Sequence, residues 1–338
     1  MFCLAVLIGL VLEYLSIPIP FLLGGIAAAM TFKIAGSDAN WPFMWREIGL
    51  AVAGYGIGRN FSAATVHELT EQIFGVLSSS GIAVAASVVI ALVTARLTYA
   101  NLISCMMGCM PGGLTAMMLL AEEDKRTDFN IVMAMQTLRL TGVVIIVPFL
   151  VVHGLGAQVL NTPASQAMAE ATHHWLWLLP IAGAGAVLAS KVHLATPHLL
   201  GPILMTSACS YFWGNLGAVP SVVMLVAQVS IGLYMGMLLD PKRLKATGDL
   251  LPYIFGGIFA MIGVSVLMAY YLSKWYGFSL ITGFLAMAPG GIAEMCLAGM
   301  SMGEDVSIIL TYQLVRLIFL NVTVPVGIKY YFREKSGC

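Results

Sequence analysis

Two Gln-x-x-Arg pairs, Gln136 with Arg139 and Gln313 with Arg316, lie inside long apolar runs of this 338-residue chain. Residues three apart share one face of a helix, so each pair offers an amide and a guanidinium side by side. A guanidinium presents five N–H donors in a plane that fits a carboxylate. Within hydrocarbon an arginine costs about 2.5–3.5 kcal/mol even on insertion scales, so something must compensate it. One compensation is a bound anion. The other is bracing, in which each arginine bonds the carbonyls of a broken helix or a buried Glu294. Upstream of each pair stands Pro-Gly-Gly, as Pro111-Gly112-Gly113 and Pro289-Gly290-Gly291. Proline supplies no N–H, and glycine accepts backbone angles closed to other residues, so each motif predicts a helix break. Half-helices restarting at Leu114 and Ile292 would aim the positive ends of their dipoles at the same anion.

The candidate substrate-binding residues are therefore Gln136, Arg139, Gln313, Arg316, Gly112, Gly113, Gly290 and Gly291, with Pro111 and Pro289 as the helix breakers. Glu294 follows the second break where the first half has Ala116. A buried carboxyl present in one half only is a candidate proton-coupling group, the alternative being a permanent salt bridge to one of the arginines.

The elements that hold these groups must be membrane helices. The sequence is 59% hydrophobic and 9% charged, with mean hydropathy +0.92, where soluble domains carry about a quarter charged residues. Sixteen Lys+Arg balance sixteen Asp+Glu, which leaves no basic footprint and excludes nucleic-acid binding. The six Cys form no CxxC pair and the six His no HxxxH pair, so neither a disulfide framework nor a catalytic metal is expected. Cys105, Met106, Met107, Cys109 and Met110 beside the first break would suit Cu(I), but flexible Met fills gaps in moving interfaces equally well, and no metal is assigned. No nucleophile elbow, Walker motif or dinucleotide fingerprint occurs, so the expectation is neither an enzyme nor an ATP-driven pump, and no cofactor.

Apolar runs fall at about 1–17, 20–36, 45–60, 71–95, 101–121 and 128–152, then at 175–193, 198–215, 221–239, 250–273, 278–300 and 305–330. The first lacks a basic leader and a small-residue cleavage site, and is expected as a retained helix. The polar stretch 154–174 is the expected linker, dividing the chain into membrane segments 1–153 and 175–338. These halves are copies. Pro20, Leu22, Leu23 and Gly24 recur in the second half as Pro197, Leu199, Leu200 and Gly201, and Asp128, Gln136 and Arg139 recur at the same offset as Asp305, Gln313 and Arg316. Gly54 and Gly58 recur as Gly232 and Gly236, and this Gly-x-x-x-Gly spacing is expected to serve helix packing.

Basic residues decide between threadings. If all twelve runs cross, the fourteen Lys and Arg outside the helix centres divide equally. If each Pro-Gly-Gly segment re-enters on its own face, each half crosses five times, the second half is inverted, and only Arg59 and Lys274 fall on the minority side. The expected architecture is an all-α polytopic membrane protein with two inverted repeats, about ten transmembrane helices and two re-entrant broken segments. Both termini would be cytoplasmic, in a bacterial inner membrane. Breaks entering from opposite faces would meet near the midplane, where secondary transporters hold substrate.

The stretches "MPGGLTAMMLLAEE…MAMQTLRL" and "APGGIAEMCLAGM…TYQLVRL" resemble the membrane AbrB duplication family over essentially the full length. The family's names point to gene regulation or ammonia oxidation, while its architecture looks like that of secondary transporters. More distantly, "IPIPFLLGG" is similar to the cation/proton antiporter and bile-acid transporter group. Those antiporters usually carry Asp in the core helix, where this chain has Asn130, Gln136 and Arg139 between Phe129 and Thr141. That departure turns the expectation from sodium/proton exchange to a small organic anion. Alternating access and a homodimer are what the resemblance implies, and Glu294 remains the candidate proton-coupling group on its burial and asymmetry. The competing expectations are a membrane regulator or sensor without net transport, and a cation/proton exchanger.

Overall fold

The computed structural model describes residues 1–37, 40–61, 71–157, 176–192, 194, 196–213, 216–239 and 247–333. Residues 158–174 of the expected linker, and Lys242, Arg243, Lys245 and Lys335 of the charge count, lie outside the described residues. Among those described, every long element is an α-helix and none is a strand. The first seven helices are α1 (Phe2–Tyr14), α2 (Pro20–Ile34), α3 (Phe43–Gly58), α4 (Ile73–Leu97), α5 (Leu102–Cys109), α6 (Leu114–Glu123) and α7 (Phe129–His153). The next seven are α8 (Leu178–Lys191), α9 (Pro197–Trp213), α10 (Ser221–Leu238), α11 (Leu251–Tyr276), α12 (Leu280–Met287), α13 (Ile292–Met302) and α14 (Val306–Arg333). The helix starts from α2 to α7 recur in order from α9 to α14 at the offset of the sequence repeat, Pro20 as Pro197, Leu102 as Leu280 and Phe129 as Val306.

Among the described residues the twelve apolar runs become fourteen helices, because each Pro-Gly-Gly run is split in two, with restarts at Leu114 and Ile292. Among the described residues, five helices are long and apolar enough to cross a membrane: α4, α7, α10, α11 with the turn that leads into it, and α14. Large apolar side chains also stay exposed, Phe74 at 73% and Trp275 at 78%, as suits a surface facing lipid.

Packing divides the chain into two units, each drawing on both sequence halves. The first comprises residues 1–70, 145–240 and 293–308, in which α2 packs on α10, and α3 and α8 on α9. Glycine makes these approaches possible. A Cβ at Gly58 would lie 2.5 Å from the Ile203 carbonyl oxygen and one at Gly236 2.6 Å from that of Ile26, so the Gly-x-x-x-Gly pairs serve close helix contact as expected. Pro20 starts α2 where no intrahelical donor is needed.

The second unit comprises residues 71–144, 241–292 and 309–338 and contains both breaks and both Gln-x-x-Arg pairs. Here α4 packs on α5 and α11, and α11 on α12. Ile103, Met107, Met110, Met117, Val132 and Leu320 form an apolar cluster around the first break.

Candidate functional site

An α-helical N–H at position i bonds the carbonyl at i−4, so Pro111 deprives Met107 of its donor and Pro289 deprives Leu285. The glutamines repair both defects. Gln136 Nε2 donates to the carbonyls of Met107 (2.6 Å) and Met110 (3.0 Å). Gln313 Nε2 donates to those of Leu285 (2.8 Å) and Ala288 (3.1 Å), the equivalent pair in the second repeat. Each glutamine is 1% exposed or less. Its carbonyl in turn accepts from the arginine one turn later, Arg139 Nη2 on Gln136 Oε1 at 2.6 Å and Arg316 Nη2 on Gln313 Oε1. That bond fixes which end of each amide faces the break.

The motif glycines contribute something other than the expected backbone freedom. Among the described residues, positive φ occurs in glycine at Gly36, Gly156, Gly277 and Gly303, so Gly112, Gly113, Gly290 and Gly291 all avoid the left-handed region. A Cβ at Gly113 would meet Leu317 Cδ1 of α14 at an ordinary contact distance of 3.5 Å, whereas one at Gly112 would lie 2.6 Å from Met117 Cε.

The arginines then depart from the repeat. Arg316 Nη1 donates to Met287 and Ala288 of its own half, both at 2.9 Å. Arg139 leaves its half and donates from Nη1 to the Pro289 carbonyl at 2.9 Å. Two guanidiniums from opposite halves thus meet on three consecutive carbonyls, close enough for their like charges to act on each other. Arg139 is 8% exposed and Arg316 6%. Among the described residues, Arg139 Nε is buried without a partner and neither guanidinium makes an ion pair. Backbone carbonyls neutralise only part of a full positive charge, so the pair can take an anion.

Glu294 lies in the first turn of α13, is 7% exposed, and belongs to the first unit together with Arg46, whose charge acts on it. The other candidates, from Pro111 to Arg316, belong to the second unit.

The first broken segment begins and ends at one place. Asn101 caps α5 by accepting from Ser104 N (2.8 Å), and its Nδ2 donates to the Arg126 carbonyl (2.7 Å). Asp128 N donates to Ser104 Oγ at 2.8 Å, just before α7 starts. A segment that crossed the membrane would separate these ends by its full thickness, so residues 101–128 form a hairpin. Beside this mouth, the hydrogen-bonded Arg126 guanidinium holds the Asp124 carboxyl below the usual carboxylate range.

Four buried hydroxyl residues went unnoticed in the sequence. Ser79, Ser80, Ser265 and Tyr312 line a gap at Arg316. The available signals were the run Ser78-Ser79-Ser80 within an apolar stretch, and Tyr312 standing where the first half has Met135.

The family model described as "Transition state regulatory protein AbrB" matches residues 21–332. "Uncharacterized protein YhjN" of Bacillus subtilis (strain 168) is 25% identical, over 94% of this chain and 88% of that protein. "Putative regulator AbrB" of Escherichia coli (strain K12) is 24% identical, over 95% of this chain and 92% of that protein. No solved structure matches the chain.

Proposed function

The chain belongs to the AbrB family, and from that premise we propose that it is a secondary active transporter of a small organic anion of the carboxylate class. The observation that carries this reading is the pair Arg139 and Arg316, two buried guanidiniums on adjacent carbonyls with no ion-pair partner among the described residues. Intramembrane charge that faces the protein interior marks substrate pathways. The arginines are the anion's ligands, and Gln136 and Gln313 position them, since both amide nitrogens already hold the breaks.

The topology we propose is two inverted repeats with ten crossings and two re-entrant segments, both termini in the cytoplasm of a bacterial inner membrane. The closed mouth of residues 101–128 supports re-entry for the first segment, and the uneven distribution of Lys and Arg supports the orientation. In alternating access the unit with the breaks carries the substrate, and the glycine-packed unit is the scaffold and the dimer surface. Glu294, buried and confined to one half, is the proposed proton-coupling group.

The name of the Escherichia coli relative favours a second reading, a membrane regulator that binds the same anion without net flux. Thermal unfolding of purified protein against a panel of carboxylates, other anions and cations tests the site. A ligand at 100 times its dissociation constant adds about 2.7 kcal/mol of stability. Stabilisation by carboxylates is expected, and stabilisation by cations alone would overturn the anion reading in favour of exchange. Counterflow in sealed vesicles then separates a transporter, which exchanges labelled ligand, from a sensor, which does not.

A further inference from the structure

Two gaps lie against the arginines, in matching places of the two halves. One, of about 20 Å³, borders Arg139, Met135, Gly257 and Ile258. The other, of about 10 Å³, borders Arg316, Tyr312, Ser79 and Ser80. When the two repeats are aligned on their shared motifs, these are the same four positions: Arg139 with Arg316, Met135 with Tyr312, Gly257 with Ser79 and Ile258 with Ser80. Duplication made the pair, and divergence filled one with hydroxyls while the other stayed apolar.

The donors and acceptors of the polar gap define what it takes. Ser79 and Ser80 each donate to the Val76 carbonyl at 2.8 Å, and Ser265, which also lines the gap, donates to Met261 (2.9 Å) and Met287 (3.0 Å). Their hydrogens are committed, so their oxygens are left as acceptors. The Tyr312 hydroxyl is buried and has no partner among the described residues, and Arg316 offers only donors. An occupant must therefore accept from Tyr312 or Arg316 and donate to a serine oxygen. A hydroxyl does both, whereas a carboxylate oxygen cannot donate and a methyl does neither. The volume admits one oxygen-sized group.

We propose that this gap is a hydroxyl-recognition pocket and that the substrate is a small hydroxy acid, its carboxylate on the arginine pair and its neighbouring hydroxyl between Tyr312 and the serines. The inference rests on the anion reading above and narrows it. A site built to bond a hydroxyl rejects the analogue that lacks one, because its own polar groups are then left unpaired.

The test compares glycolate with acetate, and lactate with propionate, by calorimetric titration of the purified full chain. Each hydroxy acid is expected to bind about 10-fold or more tightly than its deoxy partner. Tyr312→Phe keeps the ring that packs edge-on against Phe278 at 6.2 Å, and should bring the ratio close to one, with a thermal melt showing that the variant is folded. Equal affinities in the unaltered protein would overturn the proposal, meaning that water fills the gap, as would a ratio that survives both Tyr312→Phe and the double variant Ser79→Ala/Ser80→Ala. Binding of neither acid class would overturn the anion reading itself, and this proposal with it.

Discussion

At the first break a single side chain, Gln136, reaches the carbonyls of Met107 and Met110. At the second, Gln313 shares Ala288 with Arg316, and Arg139 arrives from the other half to take Pro289. The copied part is the proline defect and its glutamine repair. The divergent part is the arginine, which stays home in one half and crosses over in the other. Crossing concentrates two positive charges at one break instead of leaving one at each.

The largest expected effect follows from that concentration. Arg139→Ala and Arg316→Ala should each abolish ligand-induced stabilisation, a loss of about 2.7 kcal/mol at 100 times the dissociation constant, while the protein still purifies folded. Because the two side chains hold neighbouring carbonyls, their effects on stability should be non-additive by about 0.5–3 kcal/mol in a double-mutant cycle. Unchanged protection in both single variants would make the arginines braces and remove the functional difference between the breaks.

The glutamines test the structural half of the comparison. A buried polar group left unsatisfied costs roughly 1–3 kcal/mol. Gln136→Leu strips both Met107 and Met110 of their side-chain donor, whereas Gln313→Leu strips Leu285 and leaves Ala288 bonded to Arg316. Denaturant titration should therefore find Gln136→Leu the more damaging by about one such group, roughly 1–3 kcal/mol. The reverse order would break the comparison.

Much of this was legible in sequence, and the reasons are physical. Proline alone does not break a helix in this chain, since Pro148 and Pro202 stand within α7 and α9. Pro-Gly-Gly adds two poor helix formers to the missing donor, so the breaks and the restarts at Leu114 and Ile292 were readable from covalent chemistry. The all-helical fold followed from apolar runs too long and too uncharged for anything else. That glutamine would replace the prolyl donor was not legible, because Gln136 and Met107 are 29 residues apart and only tertiary packing brings them together. The crossing of Arg139 was hidden for a further reason: the two Gln-x-x-Arg motifs are identical in type and spacing, so a sequence comparison predicts equal roles. The motif glycines misled, since their backbone freedom goes unused.

A smaller effect is expected at the helix caps that open the two broken segments. Asn101 and Ser279 are matching N-caps, accepting from Ser104 N and Thr282 N at 2.8 and 2.9 Å. Removing such a cap costs about 1 kcal/mol. Asn101 also ties the hairpin mouth through Arg126, so Asn101→Ala should cost more than Asn101→Asp, which keeps the cap and loses the tie. Equal losses in thermal melts would mean that the cap contributes nothing beyond the tie.

The smallest effect lies at that same mouth and concerns pH. Asp124 accepts from Arg126 Nε (2.9 Å) and Nη2 (2.7 Å), while residues 301–304 of the second half contain no basic residue. The bonded guanidinium holds the Asp124 carboxyl below its usual range. A carboxyl whose folded pKa is depressed stabilises the fold above its unfolded value, and that contribution fades as pH falls through the folded one. Asp124→Asn should thus melt slightly below the unaltered protein at neutral pH and converge with it in acid. Arg126 is exposed and Asp124 partly so, so the difference should also shrink as salt is added. A gap that stayed constant from neutral to acid pH would assign the effect to the loop's backbone bonds, such as Arg126 N to Asp124 Oδ1 at 3.0 Å, rather than to the charge that distinguishes this mouth from its counterpart.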